Sequence, residues 1–359
     1  MNSLPQILDP LFAVPIFLYG LAMGSFLNVC IYRLATYTPA DIWDVPGAMR
    51  PGRHYRRAIG GRPVLFYCDE IGEERDGKVL YRGEWRLSVV YPRSACPRCR
   101  RPIAWYDNVP VLSWLLLHAR CRHCAERISA RYAAVELLTA LLFLTCYAAF
   151  GPTLAALKFA VLCFLLLGLI FTDVEHRLLP DALTFPGIVL GLVFSLFVPL
   201  HDVVSRALVP GSLGANWRLA SLLDAAAAAA AGALVIWGLG VLWKKLRGIE
   251  AMGLGDVKLL ALLGAFLGLK MVVLVVLLAS VTASVFGLGK VVAVWISRAR
   301  RRMRRGREPL WAALKAARRQ ASLVLRMWHL PFGAFLGLAA LAAIFAGDRA
   351  VHWYLEQFR

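Results

Sequence analysis

Negative charge is scarce in this chain. Against 41 Lys and Arg there are 22 Asp and Glu, and charged residues of both signs make up 18% of 359 residues, where soluble domains carry roughly a quarter. The shortage argues against a soluble globular enzyme and against an acidic disordered chain. The N-terminus also lacks a basic segment and a small-residue cleavage site ahead of its first apolar run, which excludes reading that run as a cleaved secretory leader. No nucleic-acid recognition fold accompanies the net charge of +19, so nucleic acid is excluded as a partner. What the chain does have is apolar length: 59% hydrophobic residues and a mean hydropathy of +0.62. Together these describe a multi-span membrane protein.

The expected fold class is an all-α polytopic membrane protein of about eight transmembrane helices, with a small zinc-binding cytoplasmic domain containing short strands. The spans fall near 9–32, 133–150, 154–172, 184–200, 220–243, 256–269, 271–296 and 331–347, the sixth and seventh separated only by Lys270. Most Lys and Arg lie between spans, in 33–132, 244–258 and 298–326. Such clustering marks cytoplasmic loops, which puts the N-terminus outside and the first loop inside. Three parts follow: a first helix over 1–32, a cytoplasmic domain over 33–132, and a membrane core over 133–359 that carries a basic cytoplasmic loop at 297–330. Residues 60–91 mix β-branched and aromatic runs with Asp76-Gly77 and Arg82-Gly83-Glu84 turn signals, which predicts two or three short strands. The alanine run 225–231 gives a smooth face for close helix packing, and no internal repeat is visible.

Four of the eight cysteines form two CxxC pairs, Cys96/Cys99 and Cys121/Cys124. Each pair can present two thiolates to one ion, and two pairs complete a tetrahedron. Nearby arginines favour thiolate over thiol, and a reducing compartment disfavours disulfides. The pattern therefore reads as structural zinc, against the alternative of unligated thiols. His118 and His123 are spare donors. Cys30, Cys146 and Cys163 lie in apolar runs and read as packing residues.

Because acidic residues are so few, those near the spans stand out. Asp173 sits where the third span leaves the membrane and Asp256 where the sixth enters, on the same predicted side. Two carboxylates brought together share one proton, so that one can take a proton from water while the other donates to a carbonyl. Gly253 and Gly255 leave room for a substrate backbone. The competing reading is that each Asp only caps a helix or sits at the interface, as Glu175, Asp181 and Glu250 are expected to do. Glu136 either pairs with Arg131 or lines the active-site cavity.

These residues resemble a known family. Gly253-Leu254-Gly255-Asp256 looks like the GxGD signature of intramembrane aspartyl proteases, and Met252 to Leu260 is similar to its type IV prepilin peptidase form. Gly24 to Arg33, Pro92 to Cys96, Asp107 to Trp114, Ile128 to Tyr132, Asp173 to Asp181 and Pro331 to Leu336 add matches in the family's order. The resemblance implies that Asp173 and Asp256 are the catalytic pair. Its implied substrates are precursors of type IV pilins or type II secretion pseudopilins, cut after the Gly that ends a short basic leader, at the cytoplasmic face of the inner membrane. It further implies N-methylation of the new terminal residue, with S-adenosylmethionine as methyl donor, because the four-cysteine loop is kept. No residues are assigned to that donor.

The chain departs from the family pattern in the longer region 35–91, the basic insertion 298–327, Ala334 where Pro is common, and His118-Ala119 where Arg-Gly is common. Residues 298–326 read as an amphipathic interfacial helix on anionic lipid or as a solvated loop. Two further classes compete with the protease: a non-enzymatic zinc-containing scaffold of a secretion system, and a transporter using the Asp pair as a proton relay.

Overall fold

The computed structural model describes residues 9–35, 38–43, 53–59, 62–75, 78–86, 94–96, 98–99, 101–200, 216–248, 253–305, 311 and 331–357. Glu250, Met252, the Asp76-Gly77 turn and residues 312–330 of the basic insertion lie outside them. The chain divides into two compact units, 1–187 and 188–359.

The first unit holds α1 (Pro10–Ala35), four strands, a short α2 (Leu112–Leu116), α3 (Ala130–Phe150) and α4 (Leu154–His176). The strands β1 (Thr38–Trp43), β2 (Arg53–Ile59), β3 (Arg62–Arg75) and β4 (Lys78–Arg86) make one antiparallel sheet in the order β1-β4-β3-β2. Residues 60–91 therefore hold β3 and β4, while β1 and β2 come from the stretch before them. Arg82-Gly83-Glu84 does not turn: it pairs with Pro39, Ala40 and Asp41 inside β4. Partners on both sides of β4 override the turn preference of Gly83. Pro39, which has no N–H to donate, stands on the edge strand.

Three long helices make the membrane part of this unit. α1 and α3 run antiparallel with glycines at their seam. A Cβ on Gly20 would lie 2.6 Å from Ala140 Cα, and one on Gly24 would lie 2.5 Å from Glu136 Cα. One turn further on, Asn28 Nδ2 donates to the Tyr132 carbonyl at 2.9 Å. Gly20, Gly24 and Asn28 thus face Ala140, Glu136 and Tyr132 in four-residue steps, the close approach that small-xxx-small spacing permits. Leu27, Ile31, Val135 and Leu167 fill the core beside it. Ser129 caps α3 by accepting from the Arg131 N–H.

The second unit contains α6 (Trp217–Arg247), α7 (Leu254–Leu267), α8 (Leu269–Arg305) and α9 (Phe332–Glu356); α5 (Asp181–Ser195) spans the boundary. The alanine run packs as expected. Ala225, Ala228 and Ala229 are buried with Gly232 and Ile236, and a Cβ on Gly264 of α7 would fall 2.5 Å from the Ala228 carbonyl. Gly264→Ala should lower the melting temperature of the detergent-solubilised protein, by the roughly 1–3 kcal/mol typical of overpacking. Gly238→Ala, where a Cβ meets nothing within 4 Å, should leave it unmoved. Equal midpoints for both variants would deny the tight contact.

Among the described residues, eight apolar helices match the eight expected spans, and six of these are long and apolar enough to cross a membrane. The fourth and sixth are helices of 15 and 14 residues, about 22 Å long, short of the roughly 30 Å hydrocarbon core. Apolar residues in the turn after α5 had lengthened the fourth on paper. The break between the sixth and seventh falls at Gly268, not Lys270, because φ of +81° there suits a residue without a Cβ. The seventh does not stop at 296: α8 continues to Arg305, 37 residues in all, or about 55 Å. The expected loop at 297–330 therefore begins as helix. With six such helices, the protein is a multi-pass membrane protein.

Candidate functional site

The cysteine-rich segment is built from two matching knuckles. In the first, Ala95 bridges Pro102, the Cys96 N–H donates to the Arg101 carbonyl, and that of Ile103 donates to Ser94. In the second, Arg120 bridges Arg127, the Cys121 N–H donates to Glu126, and that of Ile128 donates to Ala119. Every partner is shifted by the same number of residues. This is an internal repeat that the sequence reading missed, although C-x-x-C-x-x-x-Ile stands in both copies.

The knuckles bring Cys96, Cys99, Cys121 and Cys124 together, with all four sulfurs within 4.8 Å of one another. Cys96 Sγ and Cys124 Sγ are 3.7 Å apart, and the sulfurs of a tetrahedral site with bonds of about 2.3 Å stand about 3.8 Å apart. The cluster is compatible with a metal ion. Backbone N–H groups of Cys124 and His123 pull the Cys121 thiol down to about 7. The preference for thiolate there comes from these N–H groups rather than from the arginines. At Cys124 a backbone N–H from Glu126 acts in the same direction, but desolvation and the neighbouring thiols push it up to about 11. His123 is not among the four donors; it meets Arg101 at 3.3 Å. His118 and Ala119 hold φ of +50° and +57°. Ala119 therefore holds a backbone conformation in which a glycine would be unstrained.

Residues 107–114 strap this module to the helices. Asp107 accepts two hydrogen bonds from Arg122, at 2.6 and 2.8 Å, which hold its carboxyl below the usual range. Ser113 Oγ donates to Tyr106, and Trp114 Nε1 donates to Ile128. At Val111 the chain makes a tight three-residue turn, with φ +60° and ψ −48° and the Leu112 N–H returning to Pro110. This conformation is strained for a β-branched residue. The Val111 N–H is taken by Glu136 Oε2 at 2.7 Å, and Ser25 hydrogen-bonds the same carboxylate. The expected pairing of Glu136 with Arg131 is not made, since Arg131 pairs with Glu175 instead. A strained turn latched by a buried glutamate has no signature in local sequence.

Asp173 lies in the last turn of α4, 6% exposed, and its carbonyl accepts the N–H of Arg177, the left-handed residue that ends the helix. Asp256 is in the first turn of α7, three residues after its cap Gly253, where the helix dipole favours a carboxylate. A Cβ on Gly253 would meet only the Gly255 nitrogen, at 3.9 Å, among the described residues. The two aspartates belong to different compact units. Asp181 starts α5, the place expected of it, and Glu175 forms its ion pair with Arg131.

Two family models match the chain: the bacterial peptidase A24 N-terminal domain over residues 18–150 and the type IV leader peptidase family over 160–288. A prepilin leader peptidase/N-methyltransferase of Aeromonas salmonicida is 34% identical over 348 residues, 95% of this chain and 93% of the relative. The chain belongs to the type IV leader peptidase family. Similar proteins with the same description occur in Aeromonas hydrophila, 35% identical over 96% of this chain and 93% of the relative, and in Burkholderia pseudomallei, 35% identical over 96% and 88%. No solved structure matches the chain. In this leader peptidase the first family model begins within α1 and runs through the sheet and the cysteine module to the end of α3, and the second begins in α4 and ends in α8.

Proposed function

We propose that this leader peptidase removes the basic leader from type IV prepilins or type II pseudopilins, cutting after Gly at the cytoplasmic face of the inner membrane, and N-methylates the residue it exposes. Asp173 and Asp256 do the cleavage. One ionised carboxylate draws a proton from water, and the protonated partner donates to the scissile carbonyl. The observation that carries this reading is the placing of each aspartate at a helix end, one in the last turn of α4 and one at the glycine-led start of α7. In that setting a substrate helix can stay in the bilayer while its leader stays in water. The basic segments at 33–132, 244–258 and 298–326 support a cytoplasmic site and a periplasmic N-terminus.

Zinc is the metal proposed for the four cysteines, and its role is structural. Four thiolates close the coordination sphere and leave no position for water. A sulfonium donor such as S-adenosylmethionine supplies the methyl group, and no residue here is assigned to hold it. α8 runs past the hydrocarbon with Arg298, Arg300, Arg301 and Arg302 on its final turns, which supports contact with anionic headgroups.

Co-expression with a prepilin tests the whole reading. Mass spectrometry of the mature N-terminus should show the mass of the leader lost and the mass of one methyl group gained. An uncut precursor would defeat the proposal, and a cut, unmethylated product would confine it to the peptidase.

A further inference from the structure

Among the described residues, one buried side-chain polar atom has no hydrogen-bond partner: Asn28 Oδ1. Asn28 is 4% exposed, and its Nδ2 is committed to the Tyr132 carbonyl. The orientation of the amide is therefore fixed and the oxygen is the end left over. A buried acceptor without a donor is costly, and such atoms in a native fold call for an explanation. One rung along the same seam, about 6 Å by helical rise, is Glu136, 8% exposed and held by Val111 N–H and Ser25. Its grip on Val111 maintains the strained turn, and strain of this kind collects at functional sites. The seam thus offers a neutral acceptor and an anionic acceptor, one helical turn apart, with no cation among their described partners. The ion pair of Arg131 with Glu175 ties the start of α3 to the end of α4, so this rung lies at the same end of the unit as Asp173.

We propose that Asn28 Oδ1 and Glu136 form a subsite for a primary ammonium, the α-amino group that leader removal creates on the mature pilin. The proposal rests on the processing reading, because cleavage is what generates that amine. Asn28 Oδ1 accepts one N–H of the ammonium. Glu136 supplies the opposite charge and gives up Val111 N–H as it turns to the ligand, which lets the strained turn relax. Apolar residues that follow the amine in the mature pilin stay in the lipid.

The test uses the full chain in detergent and a synthetic peptide that begins with Phe and continues with apolar residues. The peptide is prepared with a free or an acetylated N-terminus, and binding is read by fluorescence anisotropy. The wild type should hold the free amine about tenfold or more tighter than the acetylated form, the scale of one charge-assisted hydrogen bond. Asn28→Ala and Glu136→Gln should bring the two affinities together. Asn28→Asp keeps an acceptor in the same place and should retain the preference; it decides the matter if Asn28→Ala proves misfolded by gel filtration. A wild type indifferent to acetylation, or variants that keep the full preference, overturns the proposal. Because the peptide is already mature, a failed subsite and a failed cleavage reading are separable: the second shows as an uncut prepilin, whatever the peptide does.

Discussion

Asp173→Asn and Asp256→Asn should each abolish processing of a co-expressed prepilin, with a loss of at least about 10³-fold in rate, the scale on which acid–base groups act. Both variants should still insert and remain helical. The carboxamide matches the carboxylate in size, so the packing around Asp173, buried in the last turn of α4, is kept. Asp256 sits in a first turn, where losing the charge gives up only the modest attraction of the helix dipole. The double variant should be no worse than either single one, because groups that act as a unit do not lose activity additively. The measurement is the ratio of precursor to mature pilin on a gel, beside the far-ultraviolet spectrum of each purified variant. Cleavage surviving in either single variant would remove that residue from the dyad. Losses that multiplied in the double variant would show two independent roles instead of one shared proton. A scaffold would tolerate all three changes.

How far the sequence carried depended on the range of the interaction. The four cysteines were legible because each CxxC is local and the two pairs have only one way to be used together. The alanine face of α6 was legible because a run of small residues in a span has one advantage, and Gly264 meets it. Helix ends were harder. Hydropathy counts the apolar residues of a turn as span, so the fourth span ran to 200 where α5 ends at Ser195, and the sixth was set two residues late against α7. It also stops at the first arginines, so α8 came out short although its backbone continues to Arg305. What stayed out of reach were choices made through space. Arg131 had two glutamates to choose from and took Glu175. That left Glu136 to the Val111 N–H, a pairing that depends on how residues 107–114 cross the helices. The knuckle repeat was missed for a related reason: its identity lies in matching backbone hydrogen bonds, with few identical side chains between the copies.

Removing the metal should unfold the cysteine module and spare the helices. Between residues 94 and 128 the buried residues among those described are Cys96 and Ser113, while Trp105, Tyr106, Leu115 and Leu116 are all more than half exposed. A segment that buries so little apolar area lacks the hydrophobic term that would offset its chain entropy. The zinc proposed for the four thiolates would supply it instead, since small zinc modules bind the ion with apparent free energies of about 10–16 kcal/mol at neutral pH. Cys99→Ser or Cys121→Ser should therefore cut bound zinc from about one per chain to less than about a tenth of that, measured by elemental mass spectrometry. Limited proteolysis should then nick the chain between 94 and 128. The helical signal of α1, α3 and α4 should persist, since their contacts run through Leu27, Val135 and Leu167 and not through the module. The Glu136–Val111 latch makes the link between the two parts testable, because an unfolded module can no longer present Val111 to α3. Hydrogen exchange at the Val111 amide should accelerate on chelation as much as exchange inside the knuckles. A module that stays protease-resistant without metal would require a source of stability that its own side chains do not provide.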